Sequence, residues 1–306
     1  MAKPTPTPPR RLLAAELWGL GDLALALPFL REASRHARVT LLAKPHAAPL
    51  LRRFAPEVAL CPLHAPWTAF RGKYRLHRWP WRELQHTLRT LRAARFDLAA
   101  SARTDPREHA LLRLAGPQRL VGFPRLGSGL LLSTALPPPA DPHRRAHWEI
   151  LARVCGWEIP PTVAKPPGGK SMVIHTGAAQ PTRRWPRDRY EEIATRLRGL
   201  GWQITLLDDR LNDLDQLLDT LAAADRFIGN DSGPGHLAAL LGVPTFTLFG
   251  PALSAEFAPV HPAAAWIDGT PCRFKPCHDD CHFAQPHCLM ERSVDEVWAA
   301  VQRWLK

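Results

Sequence analysis

The stretch IGNDSGPGHLAALLGVPTFTLFGP, Ile228 to Pro251, decides the fold because it contains a complete strand, turn, helix and second strand. Its apolar runs predict a buried strand through DRFIGN, a turn at DSGPG, a helix through HLAALLG that ends at Gly242, and a strand through VPTFTLFG. In such a unit the carboxyl end of the first strand and the amino end of the helix face one crevice. Unpaired backbone N–H groups and the helix dipole favour an anion there.

Four residues of this stretch are predicted to lie at the crevice: Asp231, Ser232, Gly233 and His236. Gly233 permits a close approach of the backbone, Ser232 can donate a hydrogen bond, and His236 lies on the first turn of the helix. The alternative is that Asp231 and Ser232 only cap the helix, which is a common role for both residue types.

Strands and helices also alternate in the rest of the chain. SMVIHTG, QITLLDD and DRFIGN are predicted strands separated by the predicted helices RDRYEEIATRLRGLGW and LNDLDQLLDTLAAAD. RLLAAELWGLGDLALALPFLREASRH, ARVTLLAK and FDLAASART repeat this order in the first half, without a GxGxxG or GxxxxGK[ST] motif. Proline-rich segments at 137–139 and 160–170 interrupt the pattern. We therefore predict two doubly wound Rossmann-like domains, residues 1–165 and 166–306.

Charge is distributed unequally between the two halves. Residues 1–168 contain 26 Lys and Arg against 11 Asp and Glu, whereas residues 169–306 contain 14 against 17. The basic half predicts an anionic partner, namely nucleic acid, a membrane surface or a phosphorylated substrate, unless its arginines simply lie on solvated faces. No apolar run is long enough to span a bilayer, and MAKPTPTPPRR lacks an apolar leader core. We therefore expect a cytoplasmic protein whose membrane contact would be peripheral.

Three stretches together resemble glycosyltransferase family 9, the ADP-heptose:lipopolysaccharide heptosyltransferases of GT-B fold. They are the opening segment, GLGDLALALPFLR and HTGAAQPTRRWPRDRYEEIATRL, and they follow the order of the family across nearly the whole chain. The block NDSGPGHLA is the most specific of the three. The resemblance implies a GT-B protein with two Rossmann-like domains facing each other across a cleft.

The resemblance implies that the GDxxxxLP motif places the catalytic carboxylate at Asp22. A sugar hydroxyl is a poor nucleophile, and a carboxylate can accept its proton as it attacks the anomeric carbon. The alternative role for Asp22 is to cap the following helix, and the two roles are compatible.

The resemblance also implies a donor site in the C-terminal domain. The family has a Lys two residues before Trp-Pro that binds the donor diphosphate; Arg183 stands there, and either Arg183 or Arg184 could reach the phosphates. The turn at Thr176 and Gly177 would lie beside them, unless it is an ordinary turn. Asp231, Ser232, Gly233 and His236 match the donor-site block.

One departure from the family concerns the nucleotide ribose. The family has a Gly-rich turn and a ribose-binding Glu after the strand that corresponds to QITLLDD, and this chain lacks both. Asp208 or Asp209 could replace the Glu, or both could lie in a solvated loop.

The segment PWTAFRGKYRLHRWPWREL, Pro66 to Leu84, is the strongest candidate for acceptor binding. Its cations alternate with aromatic residues, which combines phosphate-binding charge with flat faces for sugar stacking. The predicted acceptor-binding residues are Arg71, Lys73, Arg75 and Arg78. The same mixture could bind single-stranded nucleic acid, or it could be a core helix with a solvated basic face.

Four of the six cysteines lie within 17 residues: Cys272, Cys277, Cys281 and Cys288. Thiols this dense in a cytosolic chain favour a structural Zn or Fe ion, with free thiols or disulfides as the alternatives.

Together these features predict an inverting glycosyltransferase that transfers heptose from ADP-heptose to an anionic glycan or glycolipid of the lipopolysaccharide core, with no cofactor required for transfer. The chain would act in the cytoplasm, with peripheral contact to the inner face of the inner membrane and without a nucleic acid partner. The alternatives are transfer of another nucleotide-activated sugar, and a non-catalytic protein that binds a sugar nucleotide or nucleic acid.

Overall fold

The structure is a computed structural model that describes residues 9–69, 75–166, 168–208, 213–277 and 281–306. The chain divides into two compact units, Met1–Pro160 and Pro161–Lys306, close to the predicted division between residues 165 and 166. Each unit is an α/β structure with one parallel sheet, so the prediction of two Rossmann-like folds is confirmed.

The N-terminal unit alternates strands and helices from its first described strand onward. Its elements are β1 (Arg11–Glu16), α1 (Leu20–Ser34), β2 (Arg38–Ala43), α2 (Ala47–Phe54), β3 (Ala59–Pro62), α3 (Trp81–Ala94), β4 (Leu98–Ser101), α4 (Pro106–Leu114), β5 (Arg119–Gly122), β6 (Thr134–Ala135) and α5 (Arg144–Val154). In the part that the structure describes, six parallel strands pair in the order β3-β2-β1-β4-β5-β6. The order reverses direction between β1 and β4, which makes this pair the switch point of the sheet.

The C-terminal unit follows the same principle with a different strand order. Its elements are β7 (Ser171–His175), α6 (Arg187–Gly199), β8 (Gln203–Leu207), α7 (Leu214–Ala223), β9 (Arg226–Asn230), α8 (Gly233–Leu240), β10 (Thr245–Phe249), α9 (Ser254–Phe257), β11 (Ala265–Asp268), α10 (His287–Met290) and α11 (Val294–Leu305). The described strands pair in parallel as β11-β10-β9-β7-β8, with the switch point between β7 and β9.

Each sheet carries its own apolar core because its central strands are covered on both faces. Strand β1 is buried from Leu12 to Ala15, and β10 is buried throughout. Helix α6 adds Tyr190 and Ile193, both fully buried, to the core of the C-terminal unit. Rigid central strands of this kind fix the positions of the residues that follow their carboxyl ends.

Helix α8 begins earlier than the sequence predicts. DSGPG was expected to be a turn, but the helix starts at Gly233 and includes Pro234 in its first turn. The first N–H groups of a helix have no partner within the helix, so Pro is tolerated there, and its fixed φ suits the helix. The earlier start brings the amino end of α8 directly after Ser232.

None of the described helices combines the length and the apolar composition that a bilayer crossing needs.

Candidate active site

Asp22 lies at the switch point of the N-terminal sheet, on the first turn of α1. Its Oδ2 accepts a hydrogen bond of 3.2 Å from the backbone N–H of Gly19, so the side chain closes the start of the helix. Its Oδ1 lies 2.5 Å from Nη2 of Arg103, which follows the carboxyl end of β4. Asp22 therefore does cap the helix, but it uses only one carboxylate oxygen for this. The other oxygen pairs with the Arg103 guanidinium.

Arg103 is the residue that connects the two strands of the switch point. Its Nη2 also lies 3.5 Å from Oε1 of Glu16, the last residue of β1, and its guanidinium carbon lies 5.3 Å from the ring centre of Trp18. The Arg103 side chain is only 12% exposed. A planar guanidinium can contact two carboxylates and an aromatic face at once, which a lysine ammonium cannot do as well.

The carboxyl groups around Arg103 differ in their protonation. Burial acts to raise the pKa of Asp22, but the Arg103 guanidinium and the Gly19 N–H outweigh it and hold the pKa below its usual value. Burial raises the pKa of Glu16 to about 7 although Arg103 opposes the change. Burial also raises the pKa of Glu108 to about 8, and its Oε1 accepts a 2.5 Å hydrogen bond from Ser101. At neutral pH, Asp22 is therefore the fully ionised carboxylate of this group.

Further cations face the same carboxylate. A cavity of about 10 Å³ beside Asp22 is lined by Arg144 and Trp148 of α5 as well as by Glu16 and Arg103. Arg144 and Lys44 both interact electrostatically with Asp22. The edge of the sheet beside the carboxylate is thus strongly positive, as a site for a phosphorylated molecule needs to be.

Asn230 organises the switch point of the C-terminal sheet. Its Nδ2 donates to the carbonyl oxygens of Thr176 and Gly177, which follow β7, at 3.0 and 3.2 Å. Its Oδ1 accepts from the backbone N–H of Trp185 and from the hydroxyl of Tyr190, both at 2.9 Å. A fully buried amide with all of these partners joins the end of β9, the turn after β7 and the start of α6 into one rigid frame.

The structure distinguishes the two arginines before Trp185. Arg183 directs its Nη1 to Oδ2 of Asp231 at 3.2 Å, whereas Arg184 donates its Nε to the carbonyl oxygen of Ala178 at 2.8 Å. Asp231 is 4% exposed, and Arg183 keeps 27% of its side chain exposed. Arg183 is thus the arginine that stands at the predicted crevice.

The remaining predicted donor residues take different positions. Ser232 precedes α8 but makes no capping bond; its hydroxyl donates to the carbonyl oxygen of Asn230 at 3.2 Å. His236 is buried on the first turn of α8. Thr176 donates its backbone N–H and its hydroxyl to the carbonyl oxygen of Leu207. Thr176, Gly177, Asp231, Ser232, Gly233 and His236 therefore gather at the switch point, where ligands bind in folds of this class.

Asp208 lies apart from this cluster. It follows β8, and its Oδ2 accepts a 3.2 Å bond from Arg187, whose side chain is 56% exposed. Asp209, the other predicted ribose-binding residue, lies outside the described residues.

Comparisons with known proteins agree with this geometry. The family model of glycosyltransferase family 9 (heptosyltransferase) matches residues 210–283. Lipopolysaccharide heptosyltransferase 1 of Pseudomonas aeruginosa is 33% identical over 107 residues, a match that covers 28% of this chain and 30% of the relative. The structure of E. coli heptosyltransferase WaaC with ADP covers 96% of this chain and 99% of its own, with a TM-score of 0.74 and 17% identity. The C-terminal unit is thus similar in sequence to glycosyltransferase family 9, and the whole chain shares its fold with a solved heptosyltransferase.

A second solved structure supports the same fold. E. coli ADP-heptose lps heptosyltransferase II covers 97% of this chain and 98% of its own, with a TM-score of 0.69 and 19% identity. These two structural matches, each over nearly the full length of both chains, establish the GT-B fold. The curated relative, in contrast, is matched over less than a third of its length.

The basic aromatic segment is not a single helix. Short 3-10 turns at Pro66–Thr68 and Leu76–Arg78 precede α3, and Arg71 and Lys73 lie outside the described residues. Trp67 is buried in the core, and the ring of Trp79 packs in a tilted arrangement between Trp67 and Trp81. Trp67 is therefore unavailable for stacking on a sugar, because its side chain is buried in the apolar core of the sheet. Arg75 and Arg78, in contrast, are exposed.

Within the part of the chain that the structure describes, the four C-terminal cysteines are not arranged as a metal site. Cys272, Cys277, Cys281 and Cys288 are all free thiols. Among the residues that the structure describes, no group of three or more His, Cys, Asp or Glu is arranged to hold a metal ion. Cys281 contacts the carbonyl oxygen of Gln285 at 3.7 Å, and a side-chain hydrogen bond from His287 lowers the pKa of Cys272. Burial and the neighbouring thiols of Cys281 and Cys272 raise the pKa of Cys277.

Sequence reasoning missed Arg103, Glu16 and Asn230, which position the predicted site residues. Arg103 and Glu16 are more than 80 residues apart, and only the pairing of β1 with β4 brings them together. Asn230 is the last residue of a buried strand. Because a buried amide needs hydrogen-bond partners, its position was the one feature of the sequence that could have indicated its role.

We expect Asn230→Ala to lower the free energy of unfolding by about 2–4 kcal/mol, because it leaves several buried polar groups without a partner. Denaturant unfolding of the variant checks this result. Thr195→Ala is the matched control, since its hydroxyl bonds the Glu191 carbonyl on an exposed face of α6. Equal stability of the two variants would contradict the organising role of Asn230.

Proposed function

We propose that this protein is an inverting glycosyltransferase that transfers heptose from ADP-heptose to a phosphorylated acceptor of the lipopolysaccharide core or a related glycolipid. The observation that carries the proposal is the ionised Asp22 carboxylate at the switch point of the N-terminal sheet, held at 2.5 Å by Arg103. Similarity to glycosyltransferase family 9 over residues 210–283 and the ADP-bound heptosyltransferase of the same fold support the choice of donor.

In the proposed reaction Asp22 is the general base. The acceptor hydroxyl loses its proton to Asp22 as its oxygen forms a bond to the anomeric carbon, and the bond from that carbon to the ADP phosphate oxygen breaks. Attack opposite the leaving group inverts the configuration at this carbon. ADP leaves with the electron pair of the broken bond, so the site must stabilise the charge of the departing diphosphate.

The proposal assigns that stabilisation to the C-terminal unit. Arg183 and the amino end of α8 would face the diphosphate, because both lie at the switch point between β7 and β9. Arg183 is paired with Asp231 in the structure, so a diphosphate would have to share or replace that contact. Thr176, Gly177, Ser232 and His236 would complete the donor site, and Asp208 or Asp209 would hold the ribose.

The proposal assigns the acceptor to the N-terminal unit and places the protein in the cytoplasm, at the inner face of the inner membrane. Lys44 and Arg144 near Asp22, together with Arg75 and Arg78 on the exposed segment before α3, would bind acceptor phosphates. No step of the proposed reaction is assigned to a metal ion.

The test is transfer by the purified chain. Mass spectrometry of a phosphorylated core acceptor incubated with ADP-heptose should show the mass of one added heptose, with release of ADP. UDP- and GDP-sugars in parallel reactions distinguish a family relative that uses another sugar. Absence of transfer together with tight, salt-sensitive binding of random oligonucleotides would favour the nucleic acid binder instead.

We expect Arg183→Ala to weaken ADP binding by about 1.5–3 kcal/mol, because it removes a charge-assisted contact to the diphosphate. Titration calorimetry of the full chain with ADP measures this change. Arg184→Ala is the matched control, since Arg184 bonds a backbone carbonyl instead of facing the crevice. Unchanged affinity in a folded Arg183→Ala variant would remove Arg183 from the donor site.

A further inference from the structure

Two leucines in one short loop are almost fully exposed. The loop Arg125–Leu131, called the leucine loop below, follows β5 and contains Leu126 at 83% and Leu130 at 97% exposure. A single exposed leucine is ordinary on a protein surface, but two this exposed in one five-residue stretch form a compact apolar protrusion.

The leucine loop is closed by backbone hydrogen bonds, and its conformation has an energetic cost at Leu126. Leu126 has a φ of 50°, in the left-handed region that non-glycine residues rarely adopt, and it is followed by Gly127 at a φ of 80°. Backbone hydrogen bonds close the loop, from Ser128 N–H to the Arg125 carbonyl at 3.1 Å and from Leu130 N–H to the Gly127 carbonyl at 3.3 Å. The strained backbone holds Leu126 in solvent instead of allowing it to fold back onto the core.

The base of the leucine loop is tied to the candidate active site. Ser128 is buried, and its Oγ lies 2.9 Å from Nδ1 of His109. The other ring nitrogen, Nε2, lies 2.9 Å from the carbonyl oxygen of Arg103. A carbonyl oxygen only accepts, so Nε2 carries the proton, and Nδ1 accepts from the Ser128 hydroxyl. Two consecutive contacts thus join the loop to the arginine that holds Asp22.

The loop also lies on the functional edge of the sheet. Strands β1, β4 and β5 are parallel, so the residues after their carboxyl ends lie on one edge. Asp22 follows β1, Arg103 follows β4, and the leucine loop follows β5. The exposed leucines therefore lie on the same edge as the proposed base.

The charge around the two exposed leucines indicates which kind of partner they can bind. Leu126 is adjacent to the exposed Arg125, and residues 1–168 carry an excess of 15 positive charges. Apolar side chains flanked by cations can bind an anionic lipid bilayer, in which anionic headgroups cover an apolar interior. A second copy of this chain would bring together two equally basic N-terminal units, which would repel each other.

We propose that the leucine loop docks the N-terminal unit onto an anionic lipid surface, with Leu126 and Leu130 inserted at the boundary of headgroups and acyl chains. The inference rests on the proposed function in one respect, because a lipid-linked acceptor explains why a docking loop lies beside Asp22. Its test measures binding alone and needs neither donor nor acceptor.

The experiment is flotation of the full chain with vesicles of phosphatidylcholine alone or with about 30% phosphatidylglycerol. We expect binding to the anionic vesicles, and a Leu126→Gly, Leu130→Ser double variant should bind about 10- to 100-fold more weakly because it loses two apolar side chains. Glycine accepts the left-handed conformation without strain, so the double variant should fold at least as stably at this position.

Leu114→Ser is the matched control. Leu114 is also exposed, but it ends α4, which returns to the opposite edge of the sheet, so this variant should float like the unmodified chain. The proposal is overturned if the unmodified chain does not bind anionic vesicles, or if the double variant binds as well as Leu114→Ser. A change of oligomeric state in place of vesicle binding would also overturn it. Failure of heptose transfer with intact vesicle binding would contradict the proposed function and leave this inference standing.

Discussion

Asp22→Asn should lower the rate of sugar transfer by about 10²–10⁴-fold, because it removes the proton acceptor from the site. Asparagine has the shape of aspartate, and its oxygen can still accept from the Gly19 N–H or from Arg103, as Asp22 does. Binding of ADP depends on the C-terminal unit in the proposed function, so its affinity should change little. Single-turnover transfer measurements, calorimetry and thermal unfolding separate these effects.

Asp105→Asn is the matched control for this prediction. Asp105 also closes the start of a helix on the same sheet edge and pairs with an arginine: it caps α4 and contacts Arg107 at 2.7 Å. The control should therefore keep near-native transfer. If Asp22→Asn retains normal turnover, the base lies elsewhere, and loss of folding in this variant alone would mean that Asp22 acts chiefly as a cap.

Arg103→Met should lower transfer at neutral pH by about 10- to 100-fold and should move the acid limb of the pH–rate profile to higher pH. The sign follows from the environment of Asp22. A general base must be ionised, so activity is lost as the pH falls through its pKa. Arg103 lowers that pKa, whereas burial raises it, so removal of Arg103 leaves the raising effect unopposed. The nearby Glu16 carboxylate would raise it further once it ionises.

Arg103→Lys tests whether the positive charge is the cause. Lysine restores the charge near Asp22 but cannot contact Asp22, Glu16 and Trp18 with one planar group. We expect Arg103→Lys to shift the acid limb of the pH–rate profile most of the way back to that of the unmodified chain. The variant should recover only part of the transfer rate. An acid limb that is the same in Arg103→Met and the unmodified chain would show that Arg103 does not set the ionisation of the base.

Local patterns in the sequence were sufficient for the fold class. The alternation of short apolar runs with amphipathic segments predicted parallel sheets, because a parallel strand must be connected by a crossover, usually a helix. The boundaries were less certain: Pro234 indicated a turn but is tolerated in the first turn of α8, since no N–H is needed there.

The positions of Asp22, Arg183 and the block Asp231–His236 were also accessible from sequence. Each follows or opens a predicted element, and the family resemblance depends on short contiguous motifs. The four cysteines illustrate the opposite case. Their density along the chain suggested a metal site, but coordination depends on how side chains are arranged in space, and the described residues contain no group of three or more His, Cys, Asp or Glu arranged to hold an ion.

The sequence by itself thus determined two Rossmann-like units, a carboxylate after the first strand and a polar cluster before α8, because these features are encoded in contiguous residues. Only the tertiary structure decided how the carboxylate is held. Arg103 reaches Asp22 and Glu16 because β4 pairs with β1 across 80 residues of chain. Asn230 likewise joins three segments, and Arg183 instead of Arg184 faces Asp231. Ionisation and hydrogen bonding depend on neighbours in space, and a local sequence pattern does not indicate which distant residues the folded sheet brings together.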